Sequence, residues 1–318
     1  MGSEIKIASE VLNSVASVAK KITGSVMTVN SEGVITSVEG LWMINKAKVT
    51  CEEGSSASFT SDVPLAKLKK IQGEISIAEN GAGCSLSGTS RTGDSISETV
   101  EVKSMDSIPE ENGLKVIGKI KSNELAELLA SKLTSSLPTY LMFSKKSAVS
   151  FILNEFNAGV TRMSGEFDAP FKAAMSKNVV SKLYSILSKL KTVLSFEVSA
   201  FKCWDSTYIK LDSSSGMIII VETMDKPVPA FPSKLAPPPA LFTMTAAKLG
   251  SLLISKPLAS DQVTIEGGDS KTEVMASSLS PVFNVLDKDS DIHVSISDSF
   301  TYLCDNKGHI FVVGNAKT

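Results

Sequence analysis

The sequence contains very little arginine and histidine, and this limits what it can do. Only Arg91 and Arg162 are arginines, and only His293 and His309 are histidines. Arginine reads bases and grips phosphates with a bidentate fork, whereas lysine acts as a flexible point charge. With 32 basic against 34 acidic residues, the formal net charge is −2. The composition therefore disfavours sequence-specific DNA reading, and contact with DNA would require the positive charge to be concentrated on one surface.

Catalytic motifs are also missing from the sequence. It has no G-x-S-x-G nucleophile elbow, no H-E-x-x-H zinc motif and no G-x-x-x-x-G-K-[ST] phosphate loop. Gly81-Ala82-Gly83 lacks the third glycine of a dinucleotide fingerprint and is typical of a hairpin turn. The four cysteines form no C-x-x-C pair, so they predict buried thiols in a reducing compartment. We therefore expect a protein that is not an enzyme and that uses no cofactor and no metal.

Long apolar runs are absent as well. The longest, Met217 to Val221, is far shorter than the about 20 residues that a membrane-spanning helix needs. The N-terminus begins Met1-Gly2-Ser3-Glu4 and shows no apolar signal region. We expect no contact with a membrane and a cytoplasmic location, in a bacterium or in an infected host cell.

What the sequence does contain is a recurring arrangement of one helix followed by several strands. Apolar residues recur at helical spacing in five segments, and apolar stretches bounded by glycine follow each of them. The predicted helices cover residues 9–22, 64–72, 124–133 (with Ser122 as N-cap), 176–191 and 245–255, and a Pro-led segment at 280–286 is the candidate for a sixth. These units predict an α+β fold with antiparallel sheets.

A proline-rich connector helps to divide the chain. Six of its twelve prolines lie between Pro227 and Pro239, where they favour a stiff, extended segment. Six helix-plus-strand units, taken in pairs, predict three domains at 1–112, 113–236 and 237–318. A two-domain division with an additional C-terminal piece is the alternative, because the last unit is thin.

Lysine is segregated onto the predicted helices. The five principal helices and their ends carry 13 lysines but only three acidic residues, Glu10, Glu124 and Glu127. Lysine and glutamate have similar helix propensity, so propensity does not explain why glutamate is scarce there. The lysines are either ordinary surface residues or a surface that touches a polyanion without reading bases. The candidate DNA-contacting residues are Lys20, Lys21, Lys67, Lys69, Lys70, Lys132, Lys177, Lys182, Lys189 and Lys248.

One long stretch, from about 166 to 241, carries a family resemblance. Glu166-Phe167-Asp168-Ala169-Pro170 is predicted to be a strand that leads into the fourth helix, and strands are predicted at 193–199, 207–212 and 217–221. Phe231-Pro232 follows in the connector. This order resembles the middle domain of bacterial-type DNA sliding clamps, the processivity factors of replicative polymerases, whose linker contains a Phe-Pro pair. The C-terminal strands resemble those of clamps generally, and the short chain suits a bacteriophage or otherwise divergent member.

The resemblance implies a ring whose helices line a central channel and whose sheets lie outside. Such a ring binds double-stranded DNA through its phosphates, without sequence specificity, and its partners are a DNA polymerase and a clamp loader. Rings of this family contain twelve helix-plus-strand units, so six per chain imply a homodimer, whereas four would imply a trimer. The resemblance also implies a pocket for partner peptides, lined by Phe231, Pro232, Ile310 and Val312.

Other functions remain open at this point. The same fold occurs in monomeric processivity factors of the herpesvirus type, which hold DNA on one charged face. A β-rich structural or virion protein with no role on DNA would also fit the composition. An enzyme is the last alternative, because nothing in the sequence assembles a catalytic site.

Overall fold

The computed structural model of the chain describes residues 4–79, 83–130, 137–153, 158–229, 238–255, 258, 261–283, 289–306 and 310–316. Six helices occur in these residues: α1 Ser9–Ala19, α2 Leu65–Leu68, α3 Ser122–Ala130, α4 Lys177–Leu187, α5 Ala246–Ile254 and α6 Ala276–Phe283. The first strands are β1 Ile5–Ala8, β2 Val26–Asn30, β3 Gly33–Val38, β4 Leu41–Lys46, β5 Val49–Thr50, β6 Ser56–Thr60, β7 Ile71–Glu79, β8 Cys84–Ser90 and β9 Ser95–Val100.

The remaining strands continue the same alternation of helix and strands. They are β10 Asn112–Lys121, β11 Thr139–Ser144, β12 Ser147–Leu153, β13 Ala158–Ser164, β14 Phe171–Met175, β15 Ser195–Cys203, β16 Ser206–Ser213, β17 Met217–Glu222, β18 Phe242–Thr245, β19 Gln262–Gly267, β20 Ser270–Met275, β21 Asp291–Ile296, β22 Phe300–Asp305 and β23 Ile310–Gly314.

The chain folds into two compact units, each made of two stretches of sequence. The first unit contains residues 1–115 and 185–222, and the second contains 116–184 and 223–318. The predicted division into three domains, at 112 and 236, stays a prediction.

The first unit is built on two sheets. The five-stranded sheet has the order β5-β1-β7-β8-β9, and the eight-stranded sheet has the order β10-β15-β16-β17-β4-β3-β2-β6. The antiparallel pairing of β17 with β4, which places Ile219 opposite Met43, joins the two stretches of the unit. On one face of the larger sheet, Trp42 and Tyr208 belong to a buried apolar cluster. Met105, from the extended segment before β10, packs against it.

The second unit contains two four-stranded sheets and one two-stranded sheet. Their orders are β13-β12-β11-β14, β18-β21-β22-β23 and β19-β20. One buried cluster unites the two C-terminal helices with the strands around them, through Leu249 of α5, Leu279 of α6, Ile265 and Phe311. Hydrophobic burial of these side chains holds this part of the unit together.

The structure corrects the bounds of several predicted helices. Ser122 is the first residue of α3 and not its N-cap, and α4 ends at Leu187 and not at residue 191. α1 ends at Ala19 and not at Ile22, although Ile22 remains buried beyond the helix end. α2 is a single short turn that ends at Leu68, because the predicted remainder contains Ile71, the first residue of β7. The sixth helix exists but occupies 276–283, so its proline lies inside it and does not mark its start. Residues 284–286 of that prediction lie outside the described part of the chain.

Several strand predictions were wrong, chiefly next to the helices. The strand predicted at 166–170 is absent, because Asp168 N and Ala169 N both donate to Ile117 O, at 2.7 and 3.2 Å, and the strand itself starts after Pro170. The strand predicted at 193–199 starts later and continues further, as β15 from Ser195 to Cys203. The ten-residue strand β10 was missed, and so were four short strands: β1, β6, β14 and β18.

No helix in the described residues is both long enough and apolar enough to span a membrane.

Candidate nucleic-acid interface

α1 and the turn after it place two predicted DNA-contacting lysines at the surface. The apolar series Val11, Val15, Val18 and Ile22 predicted the buried face of this helix. Val15 is buried there together with Leu12, whereas Val11 and Val18 are only half-buried. Lys20 N donates to Ala16 O at 2.9 Å, and Lys20 and Lys21 are both exposed just beyond the helix end. Cations stabilise a helix at this end because the carbonyl groups there carry partial negative charge. Lys20 also forms an ion pair with Asp62, with 3.4 Å between Nζ and Oδ1.

α2 and the two residues that follow it carry three more of these lysines. Only Leu68 of this short helix is buried, while Lys67, Lys69 and Lys70 are all exposed. Lys67 Nζ contacts the carboxylate of Glu98 on β9. Within the residues that the structure describes, Lys69 and Lys70 form no ion pair with an acidic side chain. The short helix therefore still presents a basic surface.

α4 presents lysine at both ends. Leu183 and Ile186 are buried on its apolar side, whereas Lys177 at the start and Lys189 just after the end are exposed. Lys189 N donates to Ile186 O at 3.0 Å, which extends the last turn. Lys182 is half-buried in the middle of the helix. The predicted separation of an apolar stripe from a lysine-bearing surface is therefore present, with Lys182 at its margin.

The remaining lysines have separate locations. Lys248 is exposed in the first turn of α5, and its backbone N donates to the side chain of Thr245, the N-cap, at 3.2 Å. Lys132 lies outside the described residues. Lys20, Lys21, Lys67, Lys69, Lys70 and Lys189 belong to the first unit, and Lys177, Lys182 and Lys248 belong to the second. The structure brings α1 and α2 together directly, because Asn13 Nδ2 donates to Leu68 O at 3.3 Å.

Two of the four residues predicted to bind a partner peptide, Ile310 and Val312, belong to an apolar cluster near the C-terminus. Val312 is buried in a cluster with Tyr140, Phe151 and Tyr302, while Ile310 is half-buried at its margin. The rings of Tyr140 and Phe151 stack with centroids 5.1 Å apart. Phe231 and Pro232 lie outside the described residues. We refer to this set as the C-terminal apolar cluster.

The aromatic members of the C-terminal apolar cluster were missed from the sequence. Val228, just before the end of the described part of the connector, also packs against this cluster. The run of consecutive apolar residues in β11 and in β22 is a signal that could have identified Tyr140 and Tyr302. It does not show that two distant strands share one cluster, because that depends on sheet pairing.

The cysteines are free thiols with different environments. Cys84 and Cys203 are buried as predicted, but Cys51 and Cys304 are only partly buried. Burial raises the pKa of the Cys84 thiol to about 11, and the nearby Glu79 carboxylate adds to the rise. Burial also raises the pKa of Cys304, with a smaller contribution from Asp305. No group of three His, Cys, Asp or Glu side chains within the described ranges is arranged to hold a metal ion.

No family model matches this sequence, and no curated protein is similar to it. The structure, in contrast, is similar to solved structures over its whole length. It matches the DNA polymerase III subunit beta of Pseudomonas aeruginosa with a TM-score of 0.73 and 9% sequence identity, over 99% of this chain and 100% of that chain. It matches the DNA polymerase sliding clamp of Bacillus subtilis with a TM-score of 0.72 and 10% identity, over 100% of both chains. The chain has the fold of a sliding clamp.

The sliding-clamp fold extends to a third solved structure. The DNA polymerase III beta subunit of Thermotoga maritima matches with a TM-score of 0.71 and 10% identity, over 99% of this chain and 100% of that chain. At this level of identity the similarity concerns the fold. It confirms the predicted class, α+β with repeated helix-plus-strand units in clamp-like domains, and the clamp fold suggested by the stretch at 166–241.

Proposed function

We propose that the chain is a DNA sliding clamp that encircles double-stranded DNA and tethers the replicative DNA polymerase to it. One observation carries the proposal: the sliding-clamp fold spans 99–100% of this chain and of the solved clamps. Tethering by a closed ring requires no bond to be made or broken, which agrees with the absence of catalytic motifs. The short chain and divergent sequence suit a bacteriophage source, with the cytoplasm of the host as the location.

The exposed lysines supply the contact with DNA in this proposal. They lie at the ends of α1, α2, α4 and α5, and in a clamp these helices line the central channel. Lysine contacts to phosphates are weak, interchangeable and salt-dependent. The ring can therefore slide along the duplex without recognising its sequence.

Ring closure would come from two copies of the chain in a head-to-tail homodimer. Ile254 at the end of α5 and Leu258 shortly after it are 82% and 63% exposed, which is unusual for large apolar side chains and typical of a surface that meets a partner. β9 forms an edge of the five-stranded sheet, and β19 and β20 form a sheet of only two strands. These edges offer backbone groups for pairing across the interface between subunits.

The partner polymerase and a clamp loader would bind at the C-terminal apolar cluster. Ile310 lies half-buried at the margin of the cluster, where it can contact an added side chain, and Val312 supports it from within. Phe231 and Pro232 of the connector complete the pocket in this proposal. A peptide with a large apolar residue suits such a site.

Retention on a linear duplex tests the clamp proposal directly. The protein is threaded onto fluorescent linear DNA, both ends are blocked with streptavidin, and the salt concentration is then raised. We expect the protein to remain on end-blocked DNA and to leave DNA with open ends. Equal loss from both substrates would overturn encirclement and favour a one-faced processivity factor.

Light scattering coupled to size-exclusion chromatography tests ring closure separately. We expect a dimer for the wild type and a monomer for I254D/L258D, because buried carboxylates would disrupt the interface. Leu241→Asp is the matched control, since Leu241 is 54% exposed. It should stay dimeric. A trimer, or a wild-type monomer at every concentration, would contradict the proposed assembly.

A further inference from the structure

The first unit contains a cleft of about 730 Å³ whose charged lining residues are mainly basic. It lies between the first turns of α1, the residues after α2 and the tip of the β8–β9 hairpin. Lys69, Lys70 and Arg91 contribute three positive charges, and Glu10 is the one acidic residue among the lining residues described. We call this feature the basic cleft.

One side-chain hydrogen bond and the pairing of β7 with β8 bring the three cations of the basic cleft together. The hydrogen bond from Asn13 Nδ2 to Leu68 O holds the end of α2 against α1. Lys69 follows Leu68 directly, so its backbone lies close to α1. Ile71 is paired with Ser90 in the antiparallel β7–β8 ladder. Lys70 precedes Ile71 and Arg91 follows Ser90, so both residues lie just beyond the end of this ladder, and both line the cleft.

The turn that carries Arg91 is tightly hydrogen-bonded. Ser90 N donates to Asp94 O at 2.8 Å, and Asp94 N donates to Ser90 Oγ at 3.0 Å. Thr92 N also donates to Ser90 Oγ, at 3.2 Å. These bonds fix the backbone on both sides of Arg91, whose side chain is exposed. The guanidinium of Arg91 is therefore attached to a backbone that the turn holds in place.

The charge in the basic cleft is not neutralised locally. In the part of the chain that the structure describes, Lys69, Lys70 and Arg91 form no ion pair with Asp or Glu. The hydroxyl group of Ser9 also lines the cleft, whereas the hydroxyl groups of Ser90 and Thr92 bond to each other and to the Asp94 carboxylate, to which Thr92 Oγ1 donates. An arginine fork and two ammonium groups form a donor set that suits a phosphate group.

We propose that the basic cleft binds a phosphate group, and that in the assembled clamp this is a phosphate of the DNA backbone. The assignment to DNA rests on the proposed clamp function, whereas the phosphate site itself does not. The cleft would give the duplex one defined phosphate-binding site on each subunit, in addition to the interchangeable contacts with lysines of the helices. It would also extend the DNA contact from the helices to the tip of the β8–β9 hairpin.

Fluorescence anisotropy with a short labelled duplex tests the DNA assignment. We expect K70Q/R91Q to weaken binding by about tenfold near 100 mM NaCl and to lower the slope of log K against log salt by about 2. The matched control is K46Q/K48Q, which removes the same charge from exposed lysines of the first unit outside the cleft. It should stay within about twofold of the wild type. Equal effects of the two double variants would overturn the assignment to DNA.

Glu10→Gln provides a test in the opposite direction. Removal of the one acidic group that lines the cleft should tighten duplex binding, by about twofold. The change should disappear in the K70Q/R91Q background, because Glu10 would then have no phosphate to repel. An equal gain in both backgrounds would mean that Glu10 acts on DNA elsewhere, and this would count against the cleft.

Isothermal titration with inorganic pyrophosphate separates the phosphate site from the DNA assignment. We expect the wild type to bind pyrophosphate and K70Q/R91Q to lose this binding. If pyrophosphate binding is lost while duplex binding is unchanged, the cleft is a phosphate site for a free ligand and its assignment to DNA is overturned. Absence of pyrophosphate binding in the wild type overturns the site. Failure of the clamp proposal appears separately, as loss from end-blocked DNA.

Discussion

Lys20 Nζ lies 3.4 Å from Oδ1 of Asp62, so one lysine predicted to contact DNA already has an anionic neighbour. Lys67 also has an anionic neighbour, because its Nζ contacts the carboxylate of Glu98. The two lysine side chains are 46% and 62% exposed. Exposed ion pairs contribute only about 0–1 kcal/mol, so a phosphate can replace the carboxylate. The two acids therefore act as weak competitors of DNA for these lysines.

Removal of either competing carboxylate should strengthen DNA binding. We expect Asp62→Asn and Glu98→Gln each to raise duplex affinity by about twofold at low salt, because an exposed pair of this kind is weak. Anisotropy titration measures the change. Asp298→Asn removes one exposed negative charge from the turn between β21 and β22 and serves as the control. An equal gain in all three variants would indicate only a change in net charge.

The lysines of α4 should contribute to DNA binding without contributing to the fold. Lys177 and Lys189 are exposed beside a buried apolar face, so K177Q/K189Q should leave the thermal midpoint unchanged. We expect the salt slope of duplex binding to fall by about 2. K182E/K189E should lower retention on end-blocked DNA further, since it reverses two charges. Retention equal to that of the wild type would remove α4 from the DNA-facing surface.

Trp204 occupies a turn that does not suit its side chain. It lies in the two-residue loop between β15 and β16, with Cys203 opposite Ser206, and its φ of 56° is in the left-handed region. The side chain is 93% exposed, so packing does not offset the backbone strain. Trp204→Asn should raise stability by about 1 kcal/mol, because asparagine tolerates this conformation better.

Thermal unfolding measures the effect at Trp204. We expect a rise of about 2–4 °C in Tm for Trp204→Asn. Trp204→Ala is the control, because alanine removes the ring but lacks the short polar side chain through which asparagine tolerates the left-handed region. If alanine stabilises as much as asparagine, the exposed ring and not the backbone is responsible.

The two tryptophans should also differ in fluorescence quenching. Trp42 is 6% exposed and its Nε1 donates to Asp106 O at 3.2 Å, so acrylamide should quench the fluorescence of Trp204 selectively.

Cys84 should make the fold sensitive to alkaline pH. Its pKa is raised from about 9 to about 11 by burial and by Glu79, so the folded state favours the neutral thiol. The stabilisation that comes from this raised pKa is complete when the pH is below the pKa of the thiol in the unfolded chain. The contribution is then lost as pH rises from about 9 through about 11.

Urea unfolding below pH 9 and near pH 11 measures this loss. Cys84→Ala should be less stable at neutral pH, because it leaves a small cavity, but its urea midpoint should fall less at high pH. Cys51→Ala changes a partly exposed position, and its urea midpoint should fall at high pH as much as that of the wild type. An equal fall in all three proteins would show that other groups control the alkaline transition.

Helix faces were predictable because their pattern is local. Leu12 and Val15 in α1, and Leu183 and Ile186 in α4, lie on the buried sides that their spacing indicated. Helix ends were less predictable: the segment after Leu68 was assigned to α2, but Ile71 belongs to β7, because its pairing with Ser90 outweighs the preference for helix. The strand at 166–170 was wrong for a similar reason, since hydrogen bonds to Ile117 O hold that segment in a bend.

Residue type and short-range spacing were enough to establish the lack of catalytic motifs, the apolar helix stripes and the segregation of lysine. The pairing of β4 with β17, which places Met43 opposite Ile219, and the presence of Lys70 and Arg91 in one cleft became known only from the fold. Strand partners are chosen by backbone hydrogen bonds and burial between segments far apart in the chain. No local pattern specifies them, and for that reason the basic cleft and the C-terminal apolar cluster emerged only from the fold.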